Sequence, residues 1–126
     1  MVGEFILLDT NILIYLLQGN QKLAQMLSDT QIVISVISEM EVQCLKMTDE
    51  ALHKVKKLLS QCTIVELNPT IKEGAIEIVK QGKLKLPDAI IASTAICLEL
   101  PVFTGDKQFE RLDNCDVILF EPEPWD

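Results

Sequence analysis

Apolar positions along the chain follow two alternating rhythms. Short β-branched or apolar runs occur at residues 5–8, 32–36, 63–67, 101–104 and 117–120, the pattern of strands buried in a parallel sheet. Between them apolar residues recur at helical spacing, as in Leu52, Val55, Leu58 and Leu59, or Ile71, Ala75, Ile76 and Val79. That spacing predicts amphipathic crossover helices. The punctuation agrees: Gly19-Asn20 interrupts the first helical run, Asn68-Pro69 supplies a cap and a proline at a helix start, and Gly82 stands where that helix should end. Alternation of strand and helix implies an α/β fold with a parallel sheet covered by helices on both faces, because each parallel pair needs a crossover. Open sheets of this class hold their ligands at the carboxyl ends of the strands.

Composition narrows the picture. The 126 residues suit a single domain spanning 1–126, and 48% hydrophobic with 24% charged residues is ordinary globular usage. A net charge of -8 leaves no overall basic field to draw in nucleic acid or an anionic membrane. No apolar stretch approaches the ~18 residues of a membrane span, and Met1-Val2-Gly3-Glu4 lacks the basic start of a signal peptide. A cytoplasmic protein with no membrane partner is the expectation, with an acidic, proline-bearing tail at 121–126 as its peripheral segment. Cys44, Cys62, Cys97 and Cys115 form no C-x-x-C pair and His53 is the only histidine. Reduced, mostly buried thiols are therefore expected, with neither a zinc site nor imidazole-based covalent catalysis.

The acids carry the chemistry. Asp9 follows Phe-Ile-Leu-Leu directly and Asp106 follows Val-Phe-Thr-Gly, so both sit where strands end. Glu41 follows the second strand-like run, on what reads as the first turn of the next helix, and Asp88 opens the run that begins at Ala89. Each acid alone has a structural reading: Asp caps helices well, and Ser38-Glu39-Met40-Glu41 fits a capping box. Glu39 competes with Glu41, but two residues apart on a helix they point ~200° from one another. Four carboxylates gathered at one sheet edge would repel unless a cation neutralised them, and all-oxygen ligation suits Mg²⁺ or Mn²⁺. Metal-assisted attack of water on a phosphodiester is the chemistry implied. Thr10, Asn11 and Thr104 stand beside these acids, either to orient carboxylate or water or simply to shape caps and turns.

The same residues resemble a known family. Leu7-Leu8-Asp9-Thr10-Asn11-Ile12-Leu13-Ile14-Tyr15 is similar to the opening motif of the PIN domain, in particular of VapC-like ribonuclease toxins. Ile34-Ser35-Val36-Ile37-Ser38-Glu39-Met40-Glu41-Val42 resembles the second motif, whose acid aligns with Glu41 and not Glu39. Leu86-Pro87-Asp88-Ala89-Ile90-Ile91 and Pro101-Val102-Phe103-Thr104-Gly105-Asp106 resemble the third and fourth. The resemblance implies a three-layer α/β/α fold with a central parallel five-stranded sheet, and Asp9, Glu41, Asp88 and Asp106 as catalytic, Mg²⁺- or Mn²⁺-binding acids. It further implies endonucleolytic cleavage of RNA, a homodimer and a cognate antitoxin protein. Gln108 stands where many relatives carry another acid, and Cys44-Leu45 where they often have an aromatic residue and glycine.

An acidic protein must still hold RNA. Half of the -8 is carried by the four site acids, and bound Mg²⁺ would reverse that local sign. Lys54, Lys56 and Lys57 form one cluster, and Lys80, Lys83 and Lys85 another that leads straight to Asp88. The second is the candidate for phosphate contact, against a solvated face as the plainer reading. With few aromatics, contacts to a few phosphates and a shallow salt dependence are expected. Two other readings stand beside the nuclease: a weak or inactive PIN-like module acting by binding protein or RNA, and a phosphatase or phospho-receiver. The last is disfavoured because Asn11 replaces the acid that a dehalogenase-like site needs two residues after Asp9.

Overall fold

The computed structural model describes residues 4–121. The proposed absence of a leader at 1–3 and most of the acidic tail, 122–126, lie outside the described residues. Strand β1 (Glu4–Leu8) is followed by helices α1 (Thr10–Leu17) and α2 (Gln21–Met26), then β2 (Thr30–Ser35), α3 (Val36–Gln43) and α4 (Asp49–Ser60). The second half comprises β3 (Thr63–Val65), α5 (Pro69–Lys80), α6 (Leu86–Leu98), β4 (Val102–Thr104), a 3₁₀ helix (Lys107–Arg111) and β5 (Val117–Leu119). The strands form one sheet in the order β3-β2-β1-β4-β5, all parallel. The α/β reading thus holds, with five parallel strands.

Alternation along the strands builds two cores, because successive side chains point to opposite faces. Ile6, Leu8, Ile34 and Phe103 pack with α1, α2 and α4 on one face. Leu7, Val33 and Val102 pack with α5 and α6 on the other. The chain runs from β1 outward through β2 to β3, then returns through α5 and α6 to place β4 on the other side of β1. The gap between the carboxyl ends of β1 and β4 is thus the topological switch point, where such sheets open a crevice.

Several sequence expectations shift. Val36 begins α3 instead of ending β2. The edge strands β3 and β5 are only partly buried, since each has a neighbour on one side. On α5 the buried stripe is Ile71, Ala75 and Ile78, whereas Ile76 and Val79 face outward; the spacing i, i+4, i+7 toward α6 decides the face. All four cysteines are free thiols as expected, but none is buried: Cys44 and Cys97 are exposed, Cys62 and Cys115 partly so. The caps fall as read, with the Asn68 side chain accepting from the Ile71 N–H and both Gly19 and Gly82 at positive φ after their helices. No helix among the described residues is long and apolar enough to cross a membrane.

Candidate active site

The β1–β4 register sets the site. Leu8 pairs with Phe103, and the ladder continues as the Asp9 N–H donates to the Phe103 carbonyl at 2.9 Å. One step further Asp9 and Thr104 stand side by side, and the Thr104 hydroxyl donates to Asp9 Oδ2 at 2.6 Å. Asp9 Oδ1 accepts from the Thr10 N–H at 2.8 Å, so Asp9 also caps α1. The capping and site readings are therefore both true of it. Asp9 is 4% exposed, and burial raises its carboxyl pKa above the ordinary carboxylate value. The Thr104 and Thr10 bonds oppose that rise, and the charges of Asp106 and Glu41 add to it.

Glu41 reaches the site by a different route from the one its motif suggested. The cap of α3 is Ser35, whose hydroxyl accepts from the Ile37 N–H at 3.1 Å. The helix therefore starts before the S-x-x-E segment, Ser38 caps nothing, and Glu41 belongs to the second turn. Spaced three residues apart, Ser38 and Glu41 share a face of α3 that meets Thr10. The Thr10 hydroxyl donates to Glu41 Oε1 at 2.7 Å and lies 2.8 Å from Ser38 Oγ. Glu39 occupies the first turn instead and does not line the acidic cleft.

Asp88 stands in the first turn of α6, where the helix dipole favours a negative charge. Burial nevertheless pushes its carboxyl up to about 6, helped by the charges of Asp9, Asp106 and Glu41 and opposed by Lys85. Asp106 caps the 3₁₀ helix, its Oδ1 accepting from the Gln108 N–H at 2.9 Å. Its own N–H donates to Thr104 Oγ1 at 3.0 Å, so a single fully buried hydroxyl ties β4's exit to Asp9.

Asp9, Thr10, Glu41 and Asp88 line a cleft of about 660 Å³, with Cys44 and Leu45 also in its wall. Asp106 lies in an adjoining depression of about 320 Å³, and exposed Asn11 lines both. The two acids at strand ends and the two on helices thus share one edge of the sheet, where the charges of Glu41 and Asp106 act on both Asp9 and Asp88. Among the described residues, no three Asp, Glu, His or Cys side chains already converge as a ready ligand set for one ion. Of the predicted lysines, Lys85 is the one whose charge acts on Asp88. Lys83 pairs with Asp113 at 3.7 Å, and Lys80 is exposed at the end of α5. Ser38 is the residue that sequence reasoning gave a different task; its i, i+3 spacing from Glu41 was the available signal.

Comparison with known proteins settles the family. The PIN domain profile matches residues 6–114. The chain belongs to the PIN domain family. No curated protein sequence matches it significantly. Among solved structures it is similar to a toxin–antitoxin complex from Klebsiella pneumoniae, at 34% identity and a TM-score of 0.75, covering 90% of this chain and 95% of that one. VapBC2 from Rickettsia felis, bound to a DNA fragment from its promoter, shares the fold at 22% identity and a TM-score of 0.74, covering 93% and 99%. FitAcB from Neisseria gonorrhoeae does so at 22% identity and a TM-score of 0.75, covering 95% and 98%. In this PIN domain the departures noted in the sequence fall at the acidic edge. Cys44 and Leu45 line the cleft itself, and Gln108 holds Asp106 through its backbone N–H.

Proposed function

We propose that this PIN domain is a single-domain, metal-dependent endoribonuclease that cleaves RNA phosphodiesters as the toxin of a toxin–antitoxin pair. The observation that supports the reading is that Asp9, Glu41, Asp88 and Asp106, drawn from separate elements, lie near enough at the carboxyl edge of the sheet for their charges to act on Asp9 and Asp88. A buried carboxylate, Asp9, and three half-buried ones, Glu41, Asp88 and Asp106, offer oxygen donors alone, a chemistry that fits Mg²⁺ or Mn²⁺. These four acids would hold the ion. When bound it supplies activation of a water nucleophile and neutralisation of charge on the scissile phosphate.

The chain's own groups do the positioning. Thr104 holds Asp9 Oδ2 and Thr10 holds Glu41 Oε1, restricting where each carboxylate can turn. Asn11, between the two depressions, is placed to meet a bound strand or water. Lys85, whose charge acts on Asp88, and the exposed Lys80 are the proposed contacts for an RNA phosphate. Lys83 contributes only when its pair with the fully exposed Asp113 opens, which costs little at such a solvated carboxylate.

The partners follow the same reading. An apolar groove between α1 and α4, walled by Ile14, Leu17, Met47 and Val55, adjoins the acidic cleft and shares Ile14 and Leu45 with it. An antitoxin segment lying there would carry an Arg or Lys to the acids, and toxin–antitoxin complexes among the structural neighbours support such a partner. A homodimer is proposed as well; light scattering at micromolar concentration reads it directly.

The test is Mn²⁺- or Mg²⁺-dependent cleavage of end-labelled tRNA and a structured messenger fragment. Asp9→Asn and Asp106→Asn are expected to lose ~100-fold or more, since groups that merely support metal ligands are already worth 10–100-fold. Equal cutting by wild type and variants overturns the reading. Metal binding without any cutting moves it to a module that works by binding.

A further inference from the structure

Thr10 touches both halves of the acidic site. Its N–H donates to Asp9 Oδ1, and its hydroxyl donates to Glu41 Oε1. A threonine hydroxyl has one proton. With that proton committed to Glu41, the 2.8 Å contact between Ser38 Oγ and Thr10 Oγ1 can be made only with Ser38 as donor. The bonds therefore run one way, Ser38 to Thr10 to Glu41. Ser38 is fully buried and Thr10 nearly so, which shields the chain from competing water and lets each bond polarise the next. Ser38 and Glu41 lie on the same face of α3, so that face grips the Thr10 hydroxyl from both sides. Ser38 does not serve as the cap of α3, because that task falls to Ser35.

We infer that Ser38 is a positioning residue: by donating to Thr10 it fixes the rotamer and proton direction through which Thr10 orients Glu41 for the metal. The inference rests on the metal-dependent reading above and extends it to a residue that touches neither ion nor substrate. Its consequence is that the spacing of Asp9 and Glu41 is set through one threonine, whose backbone serves one acid and whose side chain serves the other.

The experiment is calorimetric titration of Mn²⁺ into metal-free protein, with no RNA, for wild type, Ser38→Ala, Ser38→Thr, Thr10→Val and the double variant Ser38→Ala/Thr10→Val. Alanine is the better helix former, so Ser38→Ala is expected to fold, with circular dichroism as the control. Thr10→Val should weaken Mn²⁺ binding 10–100-fold, the usual range for a group bonded to a metal ligand. Ser38→Ala should weaken it about 3–10-fold, one bond further out. Ser38→Thr, which keeps the hydroxyl, should stay near wild type, and Ser38→Ala should add less than about twofold once Thr10 is valine. Wild-type affinity in Ser38→Ala overturns the inference while the nuclease reading stands. A full, independent loss from Ser38→Ala in the Thr10→Val background also overturns it, because the effect would not pass through Thr10. Failure of wild type itself to bind Mn²⁺ is the distinct signature that the metal-dependent reading has failed, and the inference falls with it.

Discussion

Asp88 shows how a functional group strains the fold that carries it. Its carboxyl is pushed to about 6 by burial and by three neighbouring acids, and no hydrogen bond from another described residue offsets this. An unfolded Asp titrates near 3.9, so between about pH 4 and 6 the native state keeps a proton that the unfolded chain has released. Stability then falls as pH rises through that window, and the penalty is complete above pH 6. In chelator, Asp88→Asn should therefore stabilise the protein at pH 7.5. We expect about 1–2 kcal/mol, below the ~3 kcal/mol of an unscreened shift because Asp88 is partly solvated. The gain should vanish below about pH 4, and urea titrations at the two pH values would expose a wrong sign. Asp9 and Asp106 were legible because a charged residue at the exit of an apolar strand is conspicuous, whereas Glu41 was told from Glu39 by the motif resemblance. Ser38 was not legible, because S-x-x-E describes equally a helix cap and two neighbours on one helix face.

Helices α5 and α6 show a close approach that letters alone conceal. Gly74 faces Ser93, and a Cβ at Gly74 would run into the Ser93 hydroxyl, which donates to the Ile71 carbonyl at 2.8 Å. Gly74→Ala should thus destabilise by about 1–2 kcal/mol, the cost of overpacking exceeding the ~1 kcal/mol that alanine gains in helix propensity. Ser93→Ala in that background should recover most of the loss, and thermal denaturation of the four combinations tests it; a more stable Gly74→Ala alone would refute the clash. Element type was readable at this scale. What escaped was which face of α5 turned inward, since Ile76 and Val79 look as apolar as Ile78 until α6 is in place.

The strand order determines which acids meet. With β4 returned beside β1, the exits of those strands adjoin, and Asp9, Thr104 and Asp106 become neighbours although about a hundred residues separate the first from the others. Metal loading should then be felt by the entire fold, because a ligand that binds only the native state stabilises it by about 2.7 kcal/mol at a hundredfold excess over Kd. At pH 7.5 Mn²⁺ should raise Tm by several degrees and EDTA should reverse it. The shift should shrink toward pH 5, where protons compete for the carboxylates. Asp9→Asn should abolish it, and an equal shift in that variant would place the ion elsewhere.

Sequence alone determined the alternation of strand and helix, the break at Gly19-Asn20, the capped helix start at Asn68, and the acids beside strand ends. Those features depend on residues close together in the chain, where periodicity, turn chemistry and charge are local quantities. The start of α3, the inward face of α5, the Thr104 bridge between Asp9 and Asp106, and the path from Ser38 through Thr10 to Glu41 were decided only by tertiary structure. Each requires two elements distant in sequence to be docked in a particular register, and a hydroxyl takes its task from whatever the packing sets against it.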